Sequence, residues 1–326
     1  MLQQTTVNAV LPHFERWLKV FPSIRELARS PLRKVLKAWE GLGYYARARN
    51  LHSAAKLIVD RHGGRIPDEY ELLRDLPGFG PYTTAAVLSV AYNKSYPVVD
   101  ANVRRVFMRI FATRGSADGR HDRAFFDRLN QMIPRTGAGE FNQALMELGA
   151  LLCRPRNPQC LPCPVRPHCR AFEAGIQEVI PRPKKATVQK IEAVVGVITH
   201  DDKVLIQKRP SRGLLAGLWE LPGGKVERGE KPEAALAREI REELNARVRK
   251  TRFLAEADHS YTRYRVRLRA YRCLLWNEPR LKPGRQRWVR LRDLSAYPFP
   301  SGSVKIIRLL KKAGAAAGRE KTRTDL

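Results

Sequence analysis

Apolar residues in the first half of the chain recur at intervals of three and four positions. This spacing places them on one side of an α-helix and predicts a series of amphipathic helices joined by short loops. The segments that show it most clearly are Val10–Phe21, Leu32–Trp39 and Leu51–Ile58. Glycine and proline interrupt the pattern at residues 41–43, 63–64, 77–81 and 137–139. We therefore predict an all-helical domain over residues 1–180.

The pattern changes in the second half, where short apolar runs and alternating segments predict strands. The predicted strands are Val194–Thr199, Val204–Gln207, Tyr261–Tyr271 and Arg287–Val289. One helical segment, Pro232–Leu244, lies among them. We predict an α/β domain over residues 189–312, a linker at the proline- and lysine-rich residues 181–188 and a basic tail at 313–326. The predicted fold class is α + α/β.

Charge narrows the range of partners. The 326 residues carry a formal net charge of +29, from 61 Lys and Arg against 32 Asp and Glu. Both halves contribute, with 26 basic and 16 acidic residues up to residue 180 and 35 and 16 after it. A surplus of this size favours a nucleic acid over a small neutral metabolite. With no signal-peptide pattern and no long apolar run, we expect a cytoplasmic, DNA-associated monomer without a membrane segment.

Four of the five cysteines lie close together, at Cys153, Cys160, Cys163 and Cys169. Their thiolates fall within 17 residues and can surround one metal centre. The spacing alone suits either a structural zinc ion or an iron–sulfur cluster. The fifth, Cys273, is predicted to be an ordinary buried thiol.

A glycine-rich turn precedes the apolar helix that begins near Thr84. The segment Leu76–Thr83 reads Leu-Pro-Gly-Phe-Gly-Pro-Tyr-Thr. Gly78 and Gly80 permit a tight turn that leaves backbone N–H groups at a helix N-terminus, where a phosphate can bind. This is the pattern of a helix-hairpin-helix.

Taken in order, these motifs resemble the adenine DNA glycosylases, the MutY family within the helix-hairpin-helix base-excision glycosylases. The matching segments are Met1–Thr5, Gly41–His52, the hairpin, Val99–Val103, Phe141–Gly149 and the cysteine loop at residues 153–169. The resemblance implies a [4Fe–4S] cluster on the four cysteines. It also implies base excision repair, with removal of adenine mispaired with 8-oxoguanine or guanine in duplex DNA.

The resemblance assigns the chemistry to Asp100, with Asn102 and Tyr82 as polar neighbours. Loss of a base passes through an oxocarbenium-like sugar, which a carboxylate stabilises. The alternative role for Asp100 is that of a helix N-cap. Bifunctional relatives carry a lysine where this chain has Tyr82, which implies a glycosylase without lyase activity.

The family's acid is a glutamate two positions before the methionine of the Met-Leu-Gln-Gln-Thr segment, and here that methionine is Met1. We expect the glutamate to be encoded upstream. Without it, general acid catalysis would be lost, and the chain would be a weak glycosylase or a mismatch-binding protein.

The resemblance also implies the DNA contacts. Tyr44 corresponds to the wedge that fills the space left by a flipped base, although a core aromatic side chain is the alternative. Arg47 and Arg49 are candidate phosphate contacts. The remaining candidates for DNA binding are Gln4, Thr5, Leu42, Gly78, Gly80, Gln143 and Thr262.

The second domain carries a nearly complete Nudix signature from Gly224 to Leu244. Its helix places Glu239, Glu242 and Glu243 on one face, which suits Mg²⁺ and a diphosphate. The alternative is a surface helix with Glu–Arg pairs. Asn245 and Ala246 depart from the usual Gly and aliphatic residue.

The retained glutamates make the domain resemble the MutT-type 8-oxo-dGTP diphosphatases. It could therefore read 8-oxoguanine in DNA, through the segment His259–Arg263, or hydrolyse 8-oxo-dGTP. An alternative function for the whole chain is a Nudix hydrolase that its N-terminal half tethers to DNA.

Overall fold

The computed structural model describes residues 1–2, 5–183, 188–213, 215–261 and 264–321. The chain forms two compact units. One, the helical unit, is Leu57–Ala186, and the other, the composite unit, joins Met1–Lys56 to Thr187–Leu326. The predicted linker falls at this boundary, whereas the first 56 residues group with the C-terminal part of the chain. The division into 1–180 and 189–312 stays a prediction.

The N-terminal segment of the composite unit is helical, as predicted. Its helices are α1 (Val7–Val20), α2 (Ile24–Arg29), α3 (Leu32–Ala38) and the start of α4 (Ala46–His62). Trp17 packs against the ring of Trp39 at a centroid distance of 5.5 Å. The side chain of Ser23 caps α2 by accepting a hydrogen bond from the Glu26 N–H at 3.1 Å.

The helical unit contains the hairpin and the cysteine loop. Its elements are the end of α4, α5 (Tyr70–Arg74), α6 (Pro81–Tyr92), α7 (Ala101–Ile110), α8 (Asp122–Met132), α9 (Ala138–Glu147), a π-helical turn (Leu148–Leu152), a 3₁₀ turn (Arg166–His168) and α10 (Arg170–Glu173). The core lies around α7, where Val103, Val106 and Phe107 pack with Phe125 and Leu129. Within the described residues of this unit every regular element is a helix, which confirms the all-helical prediction.

The C-terminal part of the composite unit is built on a mixed sheet. Its strands are β1 (Gln189–His200), β2 (Lys203–Lys208), β3 (Trp219–Glu220), β4 (Gly223–Lys225), β5 (Val248–Tyr261), β6 (Tyr264–Leu275) and β7 (Gln286–Arg290). The order is β3-β2-β1-β6-β5, with β4 pairing with β1 and β7 with β2. Strands β1 and β6 are parallel, and the other described pairs are antiparallel.

Helices lie against this sheet, and the α/β class is confirmed. Helix α11 (Pro232–Leu244) buries Leu236 and Ile240 in one apolar cluster with β1. Helix α12 (Ser301–Lys321) buries Ile306 and Ile307 in a second cluster. A 3₁₀ turn (Leu291–Ala296) connects β7 to the final helix.

Two expectations differ from the structure. The pattern predicted no strand over residues 248–260, where β5 lies. The basic tail, which its composition predicted to be disordered, is helical as far as Lys321 because its alanine-rich sequence has high helix propensity; residues 322–326 lie outside the described part of the chain. No helix among the described residues is long and apolar enough to cross a membrane.

Candidate active site and DNA-contacting loops

Asp100 stands at the start of α7 and caps it. Its Oδ1 accepts a hydrogen bond from the Val103 N–H at 2.7 Å, and its Oδ2 accepts one from the Asn102 side-chain amide at 3.0 Å. The capping role is therefore confirmed. It also fixes the orientation of a half-buried carboxylate, because both oxygens are held by neighbours in the same turn.

Tyr82 lies in the first turn of α6 and shares the electrostatic environment of Asp100. Burial raises the pKa of the Tyr82 hydroxyl, and the negative charge of Asp100 raises it further. The structure thus brings together the three residues that the sequence assigned to catalysis. The phenol stays protonated at neutral pH and can donate a hydrogen bond beside the carboxylate.

Asn142 supports this site, although the sequence analysis did not single it out. It is fully buried in α9, where its Oδ1 accepts from the Val98 N–H at 3.1 Å and its amide donates to the Tyr96 carbonyl at 2.9 Å. These bonds hold the extended residues that lead into Asp100. Its place in the Phe141–Gly149 motif was the available signal.

Arg105 connects Asn102 to the start of the cysteine loop. Its Nη2 donates to the Asn102 Oδ1 at 2.9 Å and to the Gly149 carbonyl at 2.6 Å, while its Nε donates to the Cys153 carbonyl at 2.8 Å. Position 149 requires glycine because the backbone there lies close to Asn102: a Cβ at this position would be 2.6 Å from the Asn102 Cβ. The arginine was also missed from sequence.

The four clustered cysteines line one small pocket, together with Arg109 and Phe172. Arg109, almost fully buried, donates from Nη1 to the Cys153 Sγ at 3.3 Å and to the Arg154 carbonyl at 2.7 Å. A buried guanidinium is costly unless negative charge or acceptors surround it. Among the described residues, no three His, Cys, Asp or Glu side chains are arranged to hold a single metal ion.

The predicted hairpin is present between α5 and α6. Gly78 has a φ of 87°, in the left-handed region that favours glycine, and Gly80 occupies the N-cap of α6 without a side-chain cap. Arg74 fixes the turn by donating to the Phe79 carbonyl at 2.7 Å. Gln143 lies exposed on α9, where its amide donates to the Gly139 carbonyl.

The loop from Gly41 to Tyr45 in the composite unit presents Tyr44. This residue has a φ of 46°, an unusual value for a non-glycine residue, and its side chain is 43% exposed. The Trp39 indole N–H holds the loop by donating to the Gly43 carbonyl at 2.9 Å. An exposed aromatic side chain on a strained backbone marks a candidate functional position.

The arginines near this loop are engaged within the protein. Arg47 stacks over the rings of Trp39 and Tyr44, with 5.3 and 5.4 Å to the centroids, and donates to the Met1 carbonyl. Arg49 donates to the Ala216 carbonyl at 2.8 Å. Burial lowers the pKa of both guanidinium groups. Their phosphate contacts stay a prediction, and these bonds show a structural role beside it.

The other candidates for DNA contact differ in accessibility. Leu42 is buried, so a contact from its side chain would require the loop to move. Thr5 is half-exposed just before α1. Gln4 and Thr262 lie outside the described residues.

The Nudix-like signature places two glutamates near β4. The carboxylate of Glu243 accepts from the Gly223 N–H at 3.0 Å and from the Gln207 amide at 2.6 Å. A Cβ on Gly224 would overlap the Glu239 carboxylate, so glycine is required there. Glu242 is largely exposed, 3.8 Å from Arg238. Arg238 also bonds Glu239 at 2.9 Å, so the Glu–Arg pairs of the alternative interpretation are present too.

Glu220 adds a fourth carboxyl group that the sequence analysis missed. Burial raises its pKa to about 7, opposed by Arg209 and assisted by Glu243. Burial also raises the pKa of Glu243, and the charge of Glu239 contributes in the same direction. Glu243 therefore has a like-charged carboxylate on each side, Glu220 and Glu239, and a divalent cation would relieve the repulsion in both pairs.

The two departures from the signature have local explanations. Asn245 ends α11 with a φ of 49°, a left-handed conformation that asparagine tolerates better than most residues. Ala246 is completely buried in the apolar cluster beneath α11.

Comparison with known proteins identifies the family. The model of the HhH-GPD superfamily base excision DNA repair proteins matches residues 1–135, and that of the NUDIX domain matches residues 193–309. The adenine DNA glycosylase of Rattus norvegicus is 33% identical over 287 residues, which cover 74% of this chain and 56% of that protein. The chain belongs to the adenine DNA glycosylase family.

A second adenine DNA glycosylase, from Buchnera aphidicola of Acyrthosiphon pisum, is 34% identical over 225 residues, or 68% of this chain and 64% of that protein. The chain thus spans less than two thirds of the length of both glycosylase relatives. A solved structure of a thermostable thymine-DNA glycosylase is 30% identical with a TM-score of 0.48, covering 53% of this chain and 80% of that one.

Proposed function

We propose that this protein is an adenine DNA glycosylase of base excision repair that removes adenine mispaired with 8-oxoguanine or guanine in duplex DNA. The observation that carries the proposal is the Asp100 carboxylate, fixed at the start of α7 beside Asn102 and Tyr82 in a chain of this family. An adenine DNA glycosylase aligns with 74% of the chain, and the HhH-GPD and NUDIX models match its first and second halves.

The proposed chemistry is hydrolysis of the N-glycosidic bond. As the bond from the sugar C1′ to adenine breaks, positive charge develops on the sugar, and a carboxylate close to C1′ lowers the energy of that state. Water adds to C1′ and gives up a proton to Asp100, while adenine leaves with the bonding electrons and takes a proton from solvent water. Asp100 then returns its proton to solvent, so that the step consumes one water molecule overall. Tyr82 offers a phenol rather than a lysine amine, so no covalent imine with the sugar forms.

DNA contacts on this proposal come from the exposed Tyr44 ring and the hairpin. Tyr44 would fill the gap that a flipped base leaves in the duplex. The N-terminus of α6 after Gly78 and Gly80 would bind a backbone phosphate through its N–H groups. Gln4, Thr5, Gln143 and Thr262 remain candidates for further contacts.

We also propose that Cys153, Cys160, Cys163 and Cys169 hold a [4Fe–4S] cluster. The four thiols line one pocket. This arrangement suits a cluster, in which each iron binds a different cysteine, better than it suits a single zinc ion, which would need all four thiolates at one point. The cluster with its thiolates carries negative charge, which would compensate the buried Arg109. Stoichiometric zinc without iron or labile sulfide in the purified protein would contradict this assignment.

The test of the proposed function is strand scission by alkali after incubation with a duplex that contains an A:8-oxoguanine pair. We expect Asp100→Asn to lower the single-turnover rate by about a hundredfold or more, because a neutral amide cannot stabilise the cation. Asp127→Asn, an exposed carboxylate of α8, is the matched control and should retain the rate. Unchanged base removal by Asp100→Asn would exclude the assignment.

A second activity is favoured by the carboxyl cluster of the Nudix-like domain. We propose that Glu239 and Glu243, with Glu242, bind Mg²⁺ and allow hydrolysis of 8-oxo-dGTP. The charge of Glu243 raises the pKa of Glu220, and that of Glu239 raises the pKa of Glu243, which supports a cation near these carboxylates.

The measurement is pyrophosphate release from 8-oxo-dGTP with Mg²⁺. We expect Glu243→Gln to abolish it and exposed Glu278→Gln to leave it unchanged. If the wild-type protein releases no pyrophosphate, recognition of 8-oxoguanine in DNA would be the remaining role of the domain. If the protein releases pyrophosphate but does not remove adenine, the result would favour the tethered Nudix hydrolase. If it binds the mismatch and shows neither activity, the result would favour a mismatch-binding protein.

A further inference from the structure

Two arginines face each other across strands β5 and β6. In the antiparallel register Arg252 lies directly opposite Arg272, and both side chains are exposed. Like charges in this position destabilise a sheet. Among the described residues no acidic side chain pairs with either arginine. The two repelling charges are therefore not neutralised within the described part of the sheet.

The opposite end of the same strands differs. There Arg267 lies 3.5 Å from Glu256 and 3.6 Å from Asp258, and Arg269 lies 2.9 Å from Glu256 and 3.6 Å from Glu192. Each of these arginines has two carboxylate neighbours. The lack of neutralisation at Arg252 and Arg272 is thus a local property and not a general feature of this arginine-rich sheet.

Further basic and aromatic groups surround the unneutralised pair. Lys250 is opposite Leu274 in the register, and the guanidinium of Arg249 lies 5.0 Å from the centroid of the Trp276 ring. Trp276 is 68% exposed. Stacking on the indole orders the Arg249 side chain in advance of any contact. We refer to Arg249, Lys250, Arg252, Arg272, Leu274 and Trp276 as the basic end of the β5–β6 ribbon.

We propose that the basic end binds the phosphate backbone of duplex DNA outside the mismatch. Four cations with no acidic partner among the described residues match the regular row of phosphates on a duplex. The centre of a protein–protein interface is by contrast depleted of charge. The inference extends the proposed function, because it concerns DNA on either side of the lesion.

The basic end is separate from the segment predicted to contact 8-oxoguanine. Ser260 lies eight positions after Arg252 in β5, at the other end of the ribbon, a length of about 27 Å along an antiparallel strand. The two ends can therefore be altered independently. Binding at the basic end carries no base specificity, so it should be measurable on undamaged DNA.

The test compares two double variants that lose the same charge, Arg252→Ala with Arg272→Ala and, as control, Arg267→Ala with Arg269→Ala. Affinity for a long undamaged duplex is measured by fluorescence anisotropy over a range of KCl concentrations. We expect the first variant to lower the slope of log affinity against log salt by about two and to bind about tenfold more weakly at low salt. The control should keep the wild-type slope.

A second readout uses the protein with both arginines intact. Trp276 emission should be quenched as duplex is added, and Trp276→Phe should remove that part of the quenching. Equal losses in both double variants, or no loss in the first, would overturn the proposal, as would tighter binding of an acidic polypeptide than of duplex at the basic end. Thermal unfolding of both variants checks that each is folded.

Failure of this inference can be told apart from failure of the proposed function. At saturating enzyme both double variants should release adenine at the wild-type single-turnover rate, because neither lies at the base-removal site. If wild-type protein releases no adenine, the proposed function fails while the binding comparison still stands. If adenine is released but the two double variants bind alike, only the basic end is wrongly assigned.

Discussion

Glu220 shows how burial at a single residue changes the behaviour of the protein. Its carboxyl pKa rises from 4.5 to about 7 because burial outweighs the opposing effect of Arg209. Between these pH values the folded state binds a proton that the unfolded chain has released. Stability therefore falls as pH rises from about 5 to about 7, and the loss persists above that range.

Replacing Glu220 with Gln removes this titration. We expect the free energy of unfolding of the variant to decline less than that of the wild type between about pH 5 and pH 8, with a difference of about 3 kcal/mol. Urea unfolding at both pH values gives the comparison. Glu278→Gln, at an exposed position of the same domain, should follow the wild-type curve. A parallel decline in Glu220→Gln would mean that Glu220 titrates near its ordinary value.

At the same scale, the sequence could name the residues of the candidate site but not their supports. Asp100, Asn102 and Tyr82 stand in recognisable motifs, and the structure brings them together. Asn142 and Arg105 were missed because their partners are backbone atoms 44 to 48 positions away. Periodicity reports which face of a helix is buried, not which distant carbonyl a polar side chain will meet.

At the scale of elements, the π-helical turn after α9 packs unusually close to α7. A Cβ at position 149 would lie 2.6 Å from the Asn102 Cβ and 3.0 Å from the Asn102 carbonyl oxygen. Both atoms belong to Asn102 in the first turn of α7, so Asn102 cannot move without disturbing the Asp100 cap. The turn and the helix therefore together set the position of Asp100 and Asn102.

Gly149→Ala tests this contact. We expect a loss of about 1 to 3 kcal/mol in the free energy of unfolding, as for other overpacked sites, and slower adenine release because Asn102 is displaced. Denaturant unfolding and single-turnover kinetics measure the two effects. Ala150→Ser, at the exposed next position of the turn, controls for substitution in this element. Wild-type stability in Gly149→Ala would show that the two elements can separate freely.

Elements were predictable where one face is buried and ambiguous elsewhere. Helix α11 follows its pattern to the residue, because Leu236, Ile240 and Leu244 repeat at four-residue intervals toward the sheet. Strand β5 was missed because charged residues interrupt its alternation and irregular pairing shifts its register near Lys250 and Ala255.

At the scale of the molecule, the grouping of the first 56 residues with the C-terminal domain rests on specific bonds. The Phe299 N–H donates to the Glu40 carboxylate at 3.0 Å, and the Tyr45 hydroxyl donates to the Phe299 carbonyl at 3.3 Å. Arg33 lies over the Tyr297 ring at 5.0 Å. Sequence reasoning placed the boundary by composition at residues 181–188, and composition carries no information about which distant segments pack together.

These bonds predict that residues 32–49 depend on the C-terminal domain for their stability. In a fragment of residues 1–186 Glu40, Tyr45 and Arg49 lose their partners at Phe299 and Ala216. The hydroxyl of the buried Tyr45 and the guanidinium of the half-buried Arg49 would then have to be satisfied by water, which destabilises the local structure. We expect amide hydrogen exchange over α3 and the Gly41–Tyr45 loop to be at least tenfold faster in the fragment than in the full chain.

Helix α7 is the internal control for that experiment, because its packing partners lie within residues 57–186. Its exchange should be similar in the fragment and the full chain if the helical unit folds without the C-terminal domain. Equal protection of residues 32–49 in both proteins would contradict the composite unit and support the predicted division at residue 180. Faster exchange confined to residues 32–49 would show that the loop carrying Tyr44 is held by the domain proposed to read 8-oxoguanine, so that the wedge and the damaged base are controlled by one folded unit.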